Sequence, residues 1–252
     1  MMRLVVLSGA GMSAESGIPT FRDALTGLWA RFDAERLATE AAFRADPALV
    51  WGWYRWRAAM VAAATPNAGH HGVAALAADG HEVVVVTQNV DDLHERAGSP
   101  GVLHLHGRLL ASRCIGCGAR VDPDPILAGP APPEGGAREA PPICAGCGDV
   151  FRPDVVWFGE ALPGDAWDAA ADAVSACELL VVVGTSSLVW PAAGLPDLAL
   201  RSGAPVLEIN PVATPLSPRA DARWATTASA GIARLRARIA QTPHDPRAVS
   251  FM

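Results

Sequence analysis

The stretch Val83–Gly107, VVVVTQNVDDLHERAGSPGVLHLHG, decides the fold. Its first residues, Val83–Val86, form a β-branched run that predicts a buried strand. Polar side chains follow over Thr87–Asp91, where such a strand would leave its sheet, and α/β sheets bind ligands at the carboxyl ends of parallel strands. The simpler interpretation is a strand followed by a helix that Asn89 or Asp91 caps, and this stretch alone favours it.

Three further apolar runs end in the same way. They cover Leu4–Leu7, Leu179–Val183 and Val206–Ile209, and Gly, Ser or Asn follows each of them. Helical patterns alternate with these runs, and another short strand is predicted within Pro153–Glu160. The sequence therefore predicts an α/β fold, a doubly wound, Rossmann-like parallel sheet with a ligand crevice along one edge.

Composition excludes several classes of protein. The net charge is −6, which argues against a general nucleic-acid binder, since such proteins are normally basic. No apolar run is long enough to span a membrane, and the N-terminal apolar segment is too short for a signal peptide. We therefore expect a cytoplasmic protein.

Four of the five cysteines form two Cys-x-x-Cys pairs. In a cytoplasmic protein such pairs favour a metal site over a disulfide. Two of them together supply the four thiolates of a tetrahedral zinc site. The ligands are Cys114, Cys117, Cys144 and Cys147. Because four cysteines leave no open coordination position, we predict a structural zinc ion in a small inserted module. The Pro/Gly-rich segment 122–142 between the pairs predicts a mobile loop, and Cys177 predicts a core residue.

A glycine-rich turn follows the first apolar run, at Ser8–Gly17. Gly9 and Gly11 permit the tight turn and close backbone approach that a dinucleotide pyrophosphate needs. Ala14 stands where the usual third glycine would be, and no clear acidic partner for the ribose follows. A dinucleotide would therefore not bind here as it does in ordinary dehydrogenases.

The residues from about 33 to 64 predict helices that break at Asp46-Pro47, with Asp46 as an N-cap. Tyr54 and Arg57 share one helix face, where a hydroxyl and a guanidinium could hold a small carboxylate. An amphipathic helix with a boundary tyrosine and a surface arginine is the alternative, and the pattern alone favours it. Tyr54 is, however, the only tyrosine in the chain.

Taken together and in order, these motifs resemble the sirtuins, the NAD-dependent protein-lysine deacylases. The matching blocks run from Ser8 to about Ile232 and are Gly9-Ala10-Gly11-x-Ser13, Gly17-Ile18-Pro19-x-Phe21-Arg22, Thr87-Gln88-Asn89-Val90-Asp91, Leu105-His106-Gly107, the four cysteines, Val156-Trp157-Phe158-Gly159-Glu160 and Gly184-Thr185-Ser186. The resemblance implies that NAD is consumed as a cosubstrate, giving nicotinamide and an O-acyl-ADP-ribose.

The resemblance also implies roles for single residues. His106 matches the general base, whereas His104 does not match the motif. The implied NAD contacts are Gly9, Ala10, Gly11, Ser13, Ala14, Phe21, Arg22, Trp29, Gln88, Asn89, Val90, Asp91, Gly184, Thr185, Ser186, Asn210 and Ala228. The strand expected to pair with the substrate peptide comprises Val156, Trp157, Phe158 and Gly159.

The Tyr54-x-x-Arg57 pair and Leu37-Ala38-Thr39 are similar to the class III branch, whose members remove succinyl, malonyl and glutaryl groups. Ala38 stands where a small side chain leaves room for a longer acyl group. We therefore expect removal of succinyl and malonyl groups, and of acetyl groups as well. The alternatives are a protein that is mainly a deacetylase, an ADP-ribosyltransferase or NAD hydrolase, and a non-catalytic NAD sensor, which would have lost His106, Asn89 or Asp91.

The resemblance implies one catalytic domain over residues 1–252. Its large NAD-binding part would comprise about 1–30, 80–110 and 153–240. Its small part would comprise a helical insert at about 31–79 and the zinc module at about 108–152. The expected partners are acyl-lysine proteins or peptides, with no nucleic acid and no membrane, and we expect a monomer.

Overall fold

The computed structural model describes residues 1–19, 33–121, 124–133, 135–242 and 247. Within these residues the strands are β1 (Arg3–Ser8), β2 (Glu82–Thr87), β3 (Val102–His104), β4 (Gly107–Cys114), β5 (Phe151–Val155), β6 (Leu179–Val183), β7 (Val206–Ile209) and β8 (Ala222–Trp224). One six-stranded sheet has the order β3-β2-β1-β6-β7-β8, and a two-stranded sheet pairs β4 with β5.

Every neighbouring pair in the large sheet is parallel, which confirms the predicted fold class. β1 lies between β2 and β6, with Ser8 beside both Thr87 and Val183. The strand order reverses at β1, and the carboxyl ends of these strands form one edge. That edge is where a doubly wound sheet opens a crevice for a ligand.

The helices connect these strands and cover the sheet. They are α1 (Ala34–Leu37), α2 (Glu40–Ala45), α3 (Pro47–Ala63), α4 (Ala68–Ala78), α5 (Leu93–Arg96), α6 (Gly164–Ala176), α7 (Leu195–Arg201) and α8 (Ala228–Gln241). The Asp46 side chain accepts from the backbone N–H of Leu49, and Pro47 is the first residue of α3, so the predicted cap is confirmed. Among the described residues no helix could span a membrane.

Alternating side chains of the sheet build one core on each face. One core packs Val6 and Val181 against α4 and α8, through residues such as Val73 and Ile232. The other core packs the opposite face against α6 and α7. Because both faces are covered, the central strands are apolar throughout, which is why they can be recognised in the sequence.

A third core lies outside the large sheet and joins α2 and α3 to the β4–β5 pair. Trp51, Trp53, Phe43 and Trp157 are among its fully buried side chains. The sequence-based division placed α4 in this small part, but Val73 of α4 packs in the core of the large sheet. We therefore propose a boundary near residue 64 in place of 79.

One prediction about the chain after β4 was wrong in detail. The strand expected within Pro153–Glu160 is β5 and ends at Val155, and a turn follows in which the Glu160 N–H donates to the Trp157 carbonyl. The described residues of the loop between the cysteine pairs have an irregular backbone and contact α3. The Arg55 guanidinium donates to the carbonyls of Ile126, Ala128 and Pro130, and Ile126 is buried.

Candidate functional site

Three strands of the large sheet deliver polar side chains to the same edge. The Gln88 side-chain amide follows β2 and donates to the Thr185 hydroxyl oxygen over 3.0 Å. The Asn210 amide follows β7 and donates to the Thr185 carbonyl over 2.8 Å. Gln88, Thr185 and Asn210, which were predicted separately, are thus brought together, with Ser186 next in the chain.

The turn after β1 lies directly on the turn after β6. The Gly9 N–H donates to the Val183 carbonyl and the Gly11 N–H to the Gly184 carbonyl, over 3.0 and 2.8 Å. A Cβ on Gly11 would lie 2.8 Å from the Gly184 Cα, and Gly184 has a φ of 62°. Only glycine satisfies both conditions without strain, so the backbone here is free of side chains, as close approach of a dinucleotide requires.

A buried network links Ser13 to the residues that follow β2. The Asn89 amide donates to the Ser13 hydroxyl over 3.1 Å, and that hydroxyl donates to the Asp91 carboxylate over 2.8 Å. Burial raises the pKa of Asp91, while the hydrogen bonds from Ser13 and from the Leu93 N–H act in the opposite direction. The network presents one amide and one carboxylate in a fixed arrangement.

The His106 imidazole follows β3 at the same edge. Its Nδ1 lies 3.0 Å from the Gln88 carbonyl, which only accepts, so Nδ1 carries the proton and Nε2 keeps its lone pair. Burial lowers the pKa of His106, although the hydrogen bond to Gln88 opposes this shift. A neutral imidazole with a free Nε2 is the form that a general base needs.

The His104 imidazole does not have the free ring nitrogen that a general base needs. Its Nδ1 lies 3.2 Å from the Asn89 carbonyl and its Nε2 lies 2.7 Å from the Glu95 carboxylate. Both partners are acceptors, so both ring nitrogens are engaged. Burial alone would raise the pKa of Glu95, but the hydrogen bond and charge of His104 outweigh it and lower that pKa.

The segment after β5 connects His106 to the small part of the molecule. The Val156 N–H donates to the His106 carbonyl, and the Phe158 N–H donates to the Ala38 carbonyl, both over 2.9 Å. Phe158 and Gly159 are exposed, whereas Ala38 and Trp157 are buried. Residues 156–159, which were expected to form the substrate strand, lie after the end of β5, and their backbone ends in a turn at residues 158–159.

Tyr54 lies beneath this segment. The Trp157 indole N–H donates to its hydroxyl oxygen over 3.0 Å. Tyr54 is 2% exposed, and burial raises the pKa of its phenol to about 12, although the Arg57 charge opposes the shift. The hydroxyl therefore keeps its proton at any physiological pH.

Arg57 lies beside Tyr54 on the same face of α3, as the spacing predicts. Its guanidinium carbon is 4.9 Å from the centre of the Trp53 ring and 5.7 Å from that of Tyr54. Burial lowers the pKa of Arg57, and the charges of Tyr54 and Asp91 act against that shift. The interpretation of Arg57 as an ordinary surface arginine does not fit this half-buried position over an aromatic ring.

The remaining predicted contacts are placed as follows. Ala10 and Ala14 lie in the short 3₁₀ turns after β1, and Val90 accepts from the Leu109 N–H through its carbonyl. Ala228 is buried at the start of α8. The expectations for Phe21, Arg22 and Trp29 fall outside the described residues.

Two buried histidines were missed. The rings of His70 and His94 lie 4.9 Å apart, His94 bonds the Ser8 hydroxyl over 3.0 Å, and His70 lies 3.4 Å from the Ser13 hydroxyl. Burial lowers the pKa of His70 to about 4 and that of His94 to about 3, so both are neutral near pH 7. The available sequence signal was weak: His70 completes a capping box with Asn67.

The four predicted metal ligands form one cluster. Their sulfur atoms all lie within 4.8 Å of one another, with Cys114 3.3 Å from Cys147 and Cys117 3.8 Å from Cys144. Sulfur ligands at the tetrahedral corners around zinc lie about 3.8 Å apart. The Gly118 and Gly148 N–H groups close a turn at each pair by donating to the carbonyls of Cys114 and Cys144. The cluster suits a structural zinc ion.

Comparisons with known proteins agree with this geometry. The model of the Sir2 family matches residues 9–191. An "NAD-dependent protein deacylase" of Methylococcus capsulatus is 55% identical over 84% of this chain and 83% of the relative. A relative of the same name from Mycolicibacterium paratuberculosis is 52% identical over 94% of this chain and 98% of its own. A solved Sir2 homologue in complex with NAD is 45% identical, with a TM-score of 0.85 over 95% of this chain and 90% of that one.

Proposed function

This chain belongs to the Sir2 family, and we propose that it is an NAD-dependent protein deacylase that removes succinyl and malonyl groups from lysine side chains, and acetyl groups as well. Relatives named as NAD-dependent deacylases support the general activity. The preference among acyl groups rests on this chain's own residues.

The residues at the carboxyl edge of the large sheet fit NAD. Gly11 and Gly184 offer bare backbone for its pyrophosphate, and Thr185 and Asn210 offer polar contacts further along the edge. The fixed amide of Asn89 and carboxylate of Asp91 suit the nicotinamide and its ribose. When bound, NAD supplies a ribose carbon from which nicotinamide can leave.

His106 is the group that we assign to proton transfer. The Gln88 carbonyl holds the proton on Nδ1, so Nε2 can accept a proton from a ribose hydroxyl. The hydrogen bond from Val156 to the His106 carbonyl places the base next to the segment proposed to pair with the substrate peptide. The base and the acyl-lysine are thereby held by neighbouring stretches of chain.

The observation that supports an acidic acyl group is the joint position of Tyr54 and Arg57. A half-buried guanidinium and a phenol that stays protonated lie side by side on α3. Ala38 belongs to the same buried core as Tyr54, and its carbonyl accepts from Phe158. Its small side chain leaves room for a chain longer than acetyl. A succinyl or malonyl carboxylate would gain a charge-assisted hydrogen bond from each donor, whereas an acetyl group would gain neither.

We also propose that the protein acts in the cytoplasm. The zinc cluster needs four reduced thiols, and the cytoplasm keeps cysteines reduced. The protein has no lysine of its own, so acyl groups measured in an assay come from the substrate alone.

The test is one peptide that carries acetyl-, malonyl- or succinyl-lysine, assayed with purified protein with and without NAD. We expect NAD-dependent loss of succinyl and malonyl groups to exceed loss of acetyl. Arg57→Met should lower kcat/KM for the succinylated peptide by about 100-fold and change the acetylated peptide little. Arg44→Met, which removes an exposed arginine paired with Glu40, is the matched control and should change neither.

The other outcomes distinguish the alternatives. Loss of acetyl alone would leave a deacetylase and reject the role of Arg57. Consumption of NAD without loss of any acyl group would favour an NAD hydrolase or ADP-ribosyltransferase.

A further inference from the structure

Trp157 lies at the centre of a buried set of contacts behind the proposed acyl site. Its side chain is 1% exposed, and its indole N–H donates to the Tyr54 hydroxyl over 3.0 Å. The Arg152 guanidinium carbon lies 3.3 Å from the centre of its ring, and Phe43 packs on it with ring centres 5.2 Å apart. The indole is therefore held from several directions.

Arg152 is itself fixed. It is buried, donates to the Val155 carbonyl over 2.8 Å and forms an ion pair with Glu160. The same Glu160 carboxylate accepts from the backbone N–H of Trp157 over 2.8 Å. Glu160 thus holds both the backbone of Trp157 and the cation that covers its ring, so the direction of the indole N–H is determined by the protein before any substrate binds.

This direction matters for Tyr54. A phenol hydroxyl has one proton to donate and lone pairs to accept with, and the indole N–H already occupies an acceptor position. The proton is therefore directed elsewhere, and it stays on the oxygen because burial raises the pKa to about 12. A carboxylate can use such a directed donor, whereas a methyl group cannot.

We infer that Trp157 is a positioning residue for acyl selectivity, because its indole N–H fixes the Tyr54 hydroxyl as a donor to an acidic acyl group. This inference rests on the proposed function. It gives the Trp157 side chain a role of its own, separate from the pairing proposed between the Trp157 backbone and the peptide. Arg152 and Glu160 act through Trp157 and hold it in place.

The test is Trp157→Phe, which removes the N–H and keeps an aromatic ring. We expect the ratio of kcat/KM for the succinylated peptide to kcat/KM for the acetylated peptide to fall about 10-fold to 100-fold, mostly through a higher KM for the succinylated peptide. Trp51→Phe is the matched control. Trp51 is buried in the same core, and its indole nitrogen has no hydrogen-bond partner among the described residues, so the ratio of the two activities should not change.

A double-mutant cycle separates this role from a general loss of packing. If Trp157 acts through the Tyr54 hydroxyl, Trp157→Phe should have no further effect on the succinyl-to-acetyl ratio in a Tyr54→Phe background. An additional effect of the same size in that background would overturn the inference. So would a Trp157→Phe enzyme that keeps the wild-type ratio.

A measurement on the wild-type side chains covers the case in which Trp157→Phe does not fold. In ¹⁵N-tryptophan-labelled protein, the indole N–H resonance whose chemical shift changes most in Tyr54→Phe is assigned to Trp157. With NAD present, adding the succinylated peptide should change the chemical shift of this resonance more than adding the acetylated peptide does. Equal movement with both peptides would overturn the inference. A wild-type enzyme with no preference for an acidic acyl group would overturn the proposed specificity. A wild-type preference that Trp157→Phe leaves unchanged would overturn only the inference about Trp157.

Discussion

The protonation of one nitrogen of His106 sets the pH range in which this site can work. Burial holds the pKa of His106 below its ordinary value near 6.5, so the neutral ring predominates at pH 7. Since a base acts only when unprotonated, kcat/KM should be constant above that pKa and fall as the pH drops through it. We expect the acid limb of the profile below pH 6.5, measured with the peptide on which the enzyme is most active.

The variant His106→Ala should lower kcat by about 10² to 10⁴ without changing the fold. His71→Ala, which removes an exposed histidine of α4, serves as its control. An acid limb well above pH 6.5 would contradict the lowered pKa.

Single residues were predictable from the sequence where the chemistry depends on local spacing. The cysteine pairs, the Asp46 cap and the shared helix face of Tyr54 and Arg57 are all of this kind. The links from Ser13 to His70 and Asp91 were not predictable, because these partners are 57 and 78 positions away along the chain. Such contacts form only when the chain folds, and no local sequence pattern predicts them.

At the scale of elements, the loop after β4 depends on one side chain of α3. Arg55 is 4% exposed, donates to the Pro130 carbonyl over 2.8 Å and pairs with Glu139 over 3.2 Å. Arg55→Met would leave these carbonyls and the carboxylate without their donor. We expect a loss of about 3 kcal/mol in the free energy of unfolding and faster proteolysis within residues 124–139.

The matched control for this prediction is Arg236→Met, since Arg236 is more exposed and pairs with Asp79 at the surface. It should cost below about 1 kcal/mol and leave the loop protected. A loop that is cut at the same rate in the Arg55→Met and wild-type proteins would show that other contacts hold it.

The elements themselves were predictable to different degrees. The four central strands are apolar runs covered on both faces, and they were found where expected. β5 was placed too late because Arg152 looks like a loop residue, and because the apolar residues Val156–Phe158, which follow the strand, look like part of it. Its polar side chains are tolerated since Arg152 is neutralised by Glu160, a contact made by a residue beyond the strand.

At the scale of the whole molecule, we expect the zinc module to hold His106 and Val156 in position, in addition to ordering the chain around the cysteines. β4 and β5 carry the cysteine cluster at one end and His106 and Val156 at the other. Cys144→Ser should therefore lose the metal, lower the melting temperature by on the order of 10 °C and abolish deacylation. Metal content measured together with thermal melting checks this.

Cys177→Ser is the control for the metal. Cys177 is buried under the large sheet and donates to the Val174 carbonyl over 3.1 Å, a bond that serine can keep. This variant should retain about one zinc ion per chain. A Cys144→Ser protein that still holds the full amount of metal would refute the assignment.

The central position of β1 also has a consequence for how the chain is made. β1 pairs with β2 on one side, but its other partner, β6, ends at Val183, 96 residues after Thr87. At ribosomal rates of synthesis, roughly 5–20 s separate the emergence of these two strands. During that interval one edge of β1 has no strand to pair with, so a nascent chain of this protein is most vulnerable to aggregation and most dependent on chaperones before β6 is complete.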